Sequence, residues 1–415
     1  MTFREQMKNT LCVLMAGGRG ERLYPLTKDR AKPAVRFGGI YRIVDFTLSN
    51  CLNSDIRRIY VLTQYRSVSL DRHIRMGWSI FNHELDEFIE CIPPQQRNVE
   101  RWYRGTSDSI YQNIHILQRE RPERVLILSG DHVYKMNYNE MLRFHIENNA
   151  ELTVAGVEVP RGEASAFGII GCDDDYRITS WVEKPKNPEH VPGKPDLSFV
   201  SMGVYIFNTD VLVKNVITDA KDGMSDHDFG KNVVPRMIAA KSRVFVHRFR
   251  DAGDEGSRYW RDIGTIDAYW AANMDLCSPE PQCNLHDPKW PIRTCQEQVP
   301  PAKTLSLGDP DVDPTADGVV ESSIISGGCL VRGGKTVRSV LSHNVEINSG
   351  ALVEDSVLLY GVRIGPRAKV RKAIIDHGVE VPEGFVIGYD SKEDAKRFAL
   401  SAEGVITVPR GITLR

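Results

Sequence analysis

Apolar runs of strand length alternate with helix-like stretches between residues 11 and 275. The strand candidates lie at 11–15, 58–63, 125–128, 152–159 and 199–207, and the helix candidates at 68–75, 108–118 and 139–148. Strands that alternate with helices are typical of a sheet covered by helices on its faces. The pattern therefore predicts an α/β domain over residues 1–275, with ligands gathered at the carboxyl ends of its strands.

Prolines interrupt this pattern between residues 276 and 314, where eight of them occur. Trp290 and Ile292 in the same segment are large enough to pack against a neighbouring surface. We interpret residues 276–314 as an ordered or semi-ordered connector between two domains.

Aliphatic residues recur every six positions in the last hundred residues, as at Leu341, Ile347, Val353 and Leu359. Ile325, Val331 and Val337 precede them with the same spacing among themselves, and Ile364, Val370, Ile375, Val381 and Ile387 follow them with two steps of five. A six-residue apolar period predicts a parallel β-helix over residues 315–415, in which the aliphatic side chains stack inside the coils. The alternative is a set of ordinary strands with this spacing by chance.

The charge of the chain does not alter the predicted fold. The chain has 415 residues, of which 53 are basic and 55 acidic, so we expect neither nucleic acid nor a membrane as partner. The polar N-terminus and the lack of a long apolar run predict a soluble, cytoplasmic protein. Eight cysteines occur without a C-x-x-C pair, which favours reduced structural thiols over a zinc site.

A glycine-rich turn follows the first apolar run, with Gly17, Gly18 and Gly20 close together. Such a turn leaves backbone N–H groups free to bind phosphate, and Arg22 and Lys32 add positive charge beside it. The combination predicts a cradle for a nucleoside triphosphate, although an ordinary glycine turn is the alternative. Neither the Walker loop nor the dinucleotide fingerprint matches, because Glu21-Arg22 and Leu23 stand where those motifs need other residues.

The segments GGRGERL, RAKPAV and FGGIYRIVDF, followed by LSN, resemble the bacterial ADP-glucose pyrophosphorylases, also called glucose-1-phosphate adenylyltransferases. The resemblance implies a Rossmann-like nucleotidyltransferase domain with a mixed, mostly parallel sheet, followed by a left-handed parallel β-helix for regulation and oligomerisation. It also implies a homotetramer that uses Mg²⁺, ATP and glucose 1-phosphate to make ADP-glucose and pyrophosphate, as the allosterically regulated first step of glycogen synthesis.

The resemblance also assigns roles at the reacting phosphate. Arg22 and Lys32 would stabilise the pyrophosphate that leaves, and Asp131 would be catalytic and hold Mg²⁺ together with Asp262. For either aspartate, a turn or helix cap is the alternative role. Candidate nucleotide-binding residues are Ala16, Gly17, Gly18, Gly20, Gln64, Gly105 and Thr106. The amides at 95–96 and Arg97 are weaker candidates for contact with adenine.

The sugar phosphate would have its own site. Lys184 would bind the phosphate and Glu183 would accept hydrogen bonds from glucose, although a lysine before a proline is otherwise a solvated turn residue. The full set is Tyr103, Gly168, Glu183, Lys184 and Ser201. Residues 226–231 match a further family segment, to which we assign only structure and possible pocket lining.

Anionic metabolite effectors would bind between the two domains. The candidates on the first domain are Arg30, Arg36 and Arg42, and those on the β-helix are Arg371, Lys372, Lys396 and Arg397, with a solvated basic face as the alternative. Relatives activated by fructose bisphosphate carry Lys where this chain has Asp29, and Arg where it has Leu400. Because a carboxylate repels an anion, we expect that fructose 1,6-bisphosphate is not the main activator.

Three other functions compete with this prediction. A sibling enzyme could use UTP, dTTP or GTP, since it shares the glycine-rich loop. A non-catalytic regulatory subunit could bind effectors alone, but Arg22, Lys32, Asp131 and Asp262 are all present. An acyltransferase in the β-helix would have to rely on His343 and His377.

Overall fold

The computed structural model describes residues 3–94, 102–191, 193–250, 259–307 and 317–414. The weak adenine candidates at 95–97 and the prolines at 310 and 314 lie outside these ranges. Among the described residues, no helix combines the length and apolarity needed to span a bilayer.

A nine-stranded mixed sheet forms the first domain. Its strands are β1 (Thr10–Ala16), β4 (Arg58–Thr63), β5 (Phe88–Ile92), β6 (Arg124–Ser129), β8 (Leu152–Pro160), β9 (Gly168–Cys172), β10 (Ile178–Glu183), β11 (Leu197–Asn208) and β12 (Val244–Arg248). The order is β10-β9-β11-β6-β1-β4-β5, and β8 pairs with both β11 and β12. The pairs β1–β4, β1–β6, β4–β5 and β8–β12 are parallel. Two short antiparallel pairs accompany the sheet, β2 (Arg36–Phe37) with β3 (Tyr41–Arg42) and β7 (His132–Tyr134) with β13 (Trp260–Asp262).

Helices cover both faces of the sheet, as the alternating pattern predicts. They are α1 (Phe3–Lys8), α2 (Ile43–Asn53), α3 (Val68–Gly77), α4 (Thr106–Gln112), α5 (Ile114–Glu120), α6 (Tyr138–Glu147), α7 (Thr209–Ala220), α8 (Val234–Ala239) and α9 (Ile266–Asp275). Leu11 and Val13 of β1 join a core with α5 and α7, whereas Cys12 and Leu14 join the opposite core with α2 and α6. The central strand is apolar on both faces because both faces are covered. The helix predicted at 108–118 is two helices that meet at Asn113.

Three parallel sheets form the second domain. The first contains β14 (Lys303–Leu305), β17 (Leu330–Arg332), β20 (Glu346–Ile347), β23 (Arg363–Ile364) and β26 (Glu380–Val381). The second contains β15 (Val319–Glu321), β18 (Lys335–Val337), β21 (Leu352–Glu354), β24 (Lys369–Arg371) and β27 (Val386–Ile387). The third contains β16 (Ile324–Ile325), β19 (Val340–Leu341), β22 (Val357–Leu358), β25 (Ala373–Ile375), β29 (Ile406–Val408) and the antiparallel β28 (Ala399–Leu400), with α10 (Ser391–Arg397) before it.

The parallel β-helix is confirmed, and its coils explain the steps of five. Ile347, Ile364 and Val381 stack in register at intervals of 17 residues, so one of the three sides is a residue shorter than the others. The short step lies between the second and third sides, as from Val353 to Leu358. Leu359, which the six-residue period places inside the coils, instead packs in the core between the two domains.

The connector packs against the first domain. The indole Nε1 of Trp290 donates to Asn50 Oδ1 at 2.8 Å, and the Thr294 hydroxyl donates to the buried carboxylate of Asp45 at 2.7 Å. Strand β14 lies within residues 276–314 and already belongs to the first sheet of the β-helix. The domain boundaries at 275 and 314 stay a prediction.

Candidate active site

The glycine-rich turn folds back over Lys32. Gly20 has a φ of 65°, a left-handed conformation that favours glycine. A Cβ atom placed on Gly20 would lie 2.9 Å from the Cβ of Lys32, so the turn can approach the lysine only without a side chain there. By contrast, a Cβ on Gly18 would meet no atom within 4 Å and would point into open space. The turn therefore anchors the lysine stem and leaves its own tip accessible to a ligand.

A first cleft of about 320 Å³ opens beside this turn. It is lined by five of the predicted nucleotide-binding residues and by Tyr103, which the resemblance places at the sugar. These residues are Gly17, Gly18, Gln64, Gly105 and Thr106. Ala16, also predicted, is buried at the end of β1, and Gly20 acts through its contact with Lys32.

A second cleft of about 560 Å³ lies next to the first. It is lined by Arg22, Lys32, Asp131, Asp262, Gly168, Glu183, Lys184 and Ser201, all of them predicted site residues. The lining residues that the two clefts share include Lys32, Asp131, Thr106 and Asp228. A group held in one cleft can therefore meet a group held in the other at the lysine and the aspartate.

Lys32 bridges the two predicted metal aspartates. Its Nζ lies 2.9 Å from Asp131 Oδ2 and 2.8 Å from Asp262 Oδ1, although the three residues are far apart in the chain. The side chain is only 7 % exposed. Burial by itself lowers the pKa of Lys32, but attraction to the two carboxylates outweighs it and leaves the pKa raised. The lysine therefore keeps its positive charge at neutral pH.

The same contacts determine the charge of Asp131. Burial would raise its pKa, but Lys32, His132 and the hydroxyl of Ser129 hold the pKa well below its usual range. Asp131 follows β6, and the β7–β13 pair places Asp262 directly opposite His132. Both carboxylates thus meet at the carboxyl end of a central strand.

His132 is a member of this centre that the sequence analysis did not assign. Its Nε2 lies 3.5 Å from Asp131 Oδ1 and 3.8 Å from Asp262 Oδ1, and its Nδ1 is buried without a hydrogen-bond partner. One ligand atom from each of the three residues lies within 4.8 Å of the others, so they fit a divalent cation. Its position directly after Asp131 in the sequence was the signal that could have identified it as a member of the site.

Arg22 lies at the edge of the centre. Its Nη2 is 3.8 Å from Asp262 Oδ2, and the side chain is 67 % exposed. Gly264 makes room for this contact, since a Cβ there would lie 2.7 Å from Asp262 Oδ2 and 3.0 Å from Arg22 Nη2. Arg22 is thus available to an anion that enters from solvent.

Glu183 is confined by two glycines in the second cleft. A Cβ on Gly168 or Gly230 would lie 2.7 Å or 2.6 Å from Glu183 Oε2. Burial raises the pKa of Glu183. Lys184, at 3.4 Å, partly offsets this rise, and the negative charge of Asp228 adds to it. A confined, poorly solvated carboxylate is suited to accept hydrogen bonds from sugar hydroxyls.

Residues 226–231 brace the first cleft. The Thr106 hydroxyl donates to Asp228 Oδ2 at 3.1 Å and accepts from the N–H of Phe229 at 2.9 Å. A Cβ on Gly105 would lie 2.2 Å from the carbonyl oxygen of His227, so only glycine fits at that position. This segment lines both clefts through Asp228, as the sequence analysis allowed.

The candidate effector residues divide into two groups. Arg30 donates to both carboxylate oxygens of Asp376, and Arg36 bonds Glu297 at 2.6 Å and lies 5.0 Å from the ring centre of Tyr360. Burial and the nearby Arg36 lower the pKa of Arg42 to about 10. These three arginines therefore gather at the junction with the β-helix.

The second group has other partners, and that of Lys372, Trp270, belongs to α9 of the first domain. Arg371 lies 4.4 Å from the Tyr389 ring centre, Lys372 lies 5.3 Å from that of Trp270, and Lys396 and Arg397 pair with Glu393 and Asp394. Among the described residues, these hydrogen bonds, ion pairs and ring contacts do not join this group to the partners of the three arginines. Asp29 lies 3.8 Å from Arg410, and Leu400 packs at the β-helix core.

Comparisons with known proteins agree with this architecture. Residues 11–278 match the nucleotidyl transferase family, and residues 300–408 match the GlmU-like C-terminal hexapeptide family. The fold and the site thus define a nucleotidyltransferase joined to a hexapeptide-repeat β-helix.

Three relatives cover nearly the whole chain. It is 51 % identical over 405 residues to glucose-1-phosphate adenylyltransferase 2 of Vibrio cholerae, and the matched region covers 97 % of this chain and 98 % of the relative. It is 48 % identical over 410 residues to the glucose-1-phosphate adenylyltransferase of Koribacter versatilis, with 98 % and 97 % covered. It is 50 % identical over 401 residues to glucose-1-phosphate adenylyltransferase 2 of Alkalilimnicola ehrlichii, with 97 % and 93 % covered. The chain belongs to the glucose-1-phosphate adenylyltransferase family.

Proposed function

We propose that this protein transfers the adenylyl group of ATP to glucose 1-phosphate and releases pyrophosphate, the step that supplies ADP-glucose for glycogen synthesis. The observation that carries the proposal is the wall shared by the two clefts, where Lys32 and Asp131 face both. A nucleotide in the first cleft and a sugar phosphate in the second would meet there. The names of the full-length relatives support the same two substrates.

The residues of the first cleft would hold the nucleotide. The free N–H groups of the glycine-rich turn would bind its phosphates, and the open space beside Gly18 leaves room for them. Gln64 and Thr106 line the part of the cleft beyond the turn and would contact the nucleoside.

The residues of the second cleft would hold and orient the sugar phosphate. Lys184, which is exposed, would bind its phosphate as a point charge, and Glu183 would accept hydrogen bonds from the glucose ring. Positioning of this kind brings the sugar-phosphate oxygen into line with the α-phosphorus, which is most of what phosphoryl-type transfer needs. Arg22 and Lys32 would stabilise the negative charge that accumulates on pyrophosphate.

Asp131 and Asp262, with His132 beside them, would hold the divalent cation that this class of enzyme uses, and we propose that it is Mg²⁺. A bound cation supplies further positive charge at the phosphates. The two carboxylates suit Mg²⁺, which usually takes one or two protein carboxylates together with phosphate oxygens and water.

Two further properties are proposed, effector binding and assembly. Arg30, Arg36 and Arg42 would bind an anionic metabolite effector at the junction of the domains, since they gather there. The flat sides of the β-helix would serve assembly into a homotetramer. The contact of Asp29 with Arg410 keeps a carboxylate near this junction, and we retain the expectation that fructose 1,6-bisphosphate is not the main activator.

The decisive experiment measures pyrophosphate release with glucose 1-phosphate and one nucleotide at a time, with and without Mg²⁺. We expect release with ATP, whereas preferred turnover of UTP, dTTP or GTP would identify a sibling enzyme. Asp131→Ala should abolish turnover and leave the circular dichroism spectrum unchanged. A loss of less than about tenfold would contradict the catalytic and metal roles of Asp131, since groups at the reacting phosphate are typically worth ~10²–10³ in rate.

A further inference from the structure

The ammonium of Lys32 occupies the place where a cation would be held. It is hydrogen-bonded to one oxygen of Asp131 and one of Asp262, the same two carboxylates that could bind a metal together with His132. The contacts of 2.9 Å and 2.8 Å leave no room between these oxygens for a second cation. A divalent cation held between Asp131 Oδ2 and Asp262 Oδ1 would therefore have to replace the lysine.

We propose that Lys32 is an exchangeable counter-ion, which neutralises Asp131 and Asp262 until a divalent cation displaces it and which then moves to the nucleotide phosphates. The proposal rests on the proposed function, because it takes the first cleft to be the site of the triphosphate. It makes Lys32 a residue with two successive partners rather than a fixed cation of the phosphate site.

Electrostatics favours such an exchange only when both ligands are present. Two carboxylates this close together repel each other, and the ammonium removes that repulsion while the site is without a metal. A dication would compensate the carboxylates but would leave a buried ammonium beside it without an anion, which is costly. The phosphates of a nucleotide supply the missing anion.

The structure gives Lys32 a short path between the two positions. The side chain lines both clefts, so its tip need not cross the protein interior. Its stem is held at the Cβ by the close approach of Gly20, so the movement is confined to the distal methylenes and the ammonium. Arg22 differs, because it lies outside the pair at 3.8 Å from Asp262 and is mostly exposed.

A consequence is that metal and nucleotide promote each other's binding. Each relieves a cost that the other would face alone, and this coupling is reciprocal by linkage. A divalent cation by itself should bind weakly to the wild-type protein. Removal of the lysine charge should make that binding tighter, which is the opposite of the expected effect on catalysis.

The test titrates Mn²⁺ into the full-length protein without nucleotide and follows the electron paramagnetic resonance signal of free Mn²⁺. We expect Lys32→Met to lower the Kd for Mn²⁺ by about tenfold or more, since a competing charge in direct contact is lost. Arg22→Met is the matched control, because it removes an exposed cation next to the same pair. It should change the Kd by less than about threefold, since solvent screens exposed charges.

Circular dichroism checks that each variant is folded. If Lys32→Met does not fold, Lys32→Gln takes its place. As a second readout, MgCl₂ without nucleotide should raise the thermal unfolding midpoint of the Lys32 variant more than that of the wild type. An unchanged or higher Kd for Mn²⁺ in the Lys32 variant would overturn the exchange. An equal decrease of the Kd in Arg22→Met would overturn it as well. If the wild type still forms ADP-glucose in that case, the proposed function stands and only the exchange fails.

Discussion

A buried ion pair ties the catalytic domain to the β-helix, and its removal allows a quantitative test of the structure. Arg30 Nη2 lies 3.1 Å from Asp376 Oδ1 and 3.2 Å from Oδ2. The side chain of Asp376 is 1 % exposed and that of Arg30 is 11 % exposed. The substitution Asp376→Ala would leave the guanidinium in place, nearly as buried as before and without its carboxylate.

The expected cost follows from that burial. Loss of one partner of a buried ion pair typically destabilises a protein by about 3–5 kcal/mol, because the remaining charge is not compensated. The double substitution Arg30→Met with Asp376→Leu removes both charges and fills the space with apolar groups. It should recover at least about 2 kcal/mol of the loss, since an intact buried pair is worth much less than the cost of breaking it.

Urea unfolding followed by tryptophan fluorescence measures the effect. Trp270 on α9 donates its indole N–H to the carbonyl of Asp355 on the β-helix at 2.7 Å, so its emission reports on the junction of the domains. Arg338→Ala is the control, because Arg338 and Asp355 form an exposed pair whose loss should cost less than about 1 kcal/mol. A loss below about 1 kcal/mol in Asp376→Ala, or a double variant no more stable than the single one, would refute the reasoning.

Two further predictions concern the clefts. Gly105→Ala would bring a Cβ to 2.2 Å from a backbone oxygen. We therefore expect the free energy of unfolding, measured by thermal unfolding, to fall by about 1–3 kcal/mol and nucleotide binding to weaken. Gly18→Ala meets no atom within 4 Å and should leave the unfolding midpoint unchanged; an equal loss in both variants would contradict the packing argument. Glu183→Gln should raise the thermal unfolding midpoint at pH 7. Burial raises the pKa of Glu183 in the folded protein above its value in the unfolded chain. Ionisation of Glu183 therefore destabilises the folded protein as the pH rises, and the substitution removes this cost. The gain should vanish below about pH 4, where Glu183 is protonated in both states, and a gain that persists there would rule out this cause.

The sequence analysis identified the two domains, and most of its candidate substrate-binding residues line the clefts. Local patterns were sufficient for this, because the strand and helix periods and the six-residue repeat are readable within short windows. The sequence did not reveal that the short step of the 17-residue coils falls between the second and third sides. A one-residue shift of an aliphatic pair such as Leu358 and Leu359 changes which of them lies inside, and the period alone does not distinguish them.

The roles assigned to single residues depended on motifs matched one at a time. Motifs placed Lys32, Asp131 and Asp262 at one reaction but carried no information about which side chain touches which. His132 received no role, although it lies within reach of both aspartates. The effector candidates show the same limit, because three arginines gather at the domain junction while Arg371 and Arg397 have partners within the β-helix domain.

Sequence by itself determined the order of the elements and the β-helix, because local spacing specifies both, and its motifs carried the resemblance to the family. Only the tertiary structure placed the Lys32 ammonium between two carboxylates that lie 99 and 230 residues further along the chain. The physical reason is that this contact depends on the order in which strands pair and on the antiparallel match of β7 with β13. Pairing between distant strands is set by the packing of the whole domain, which no short stretch of sequence specifies.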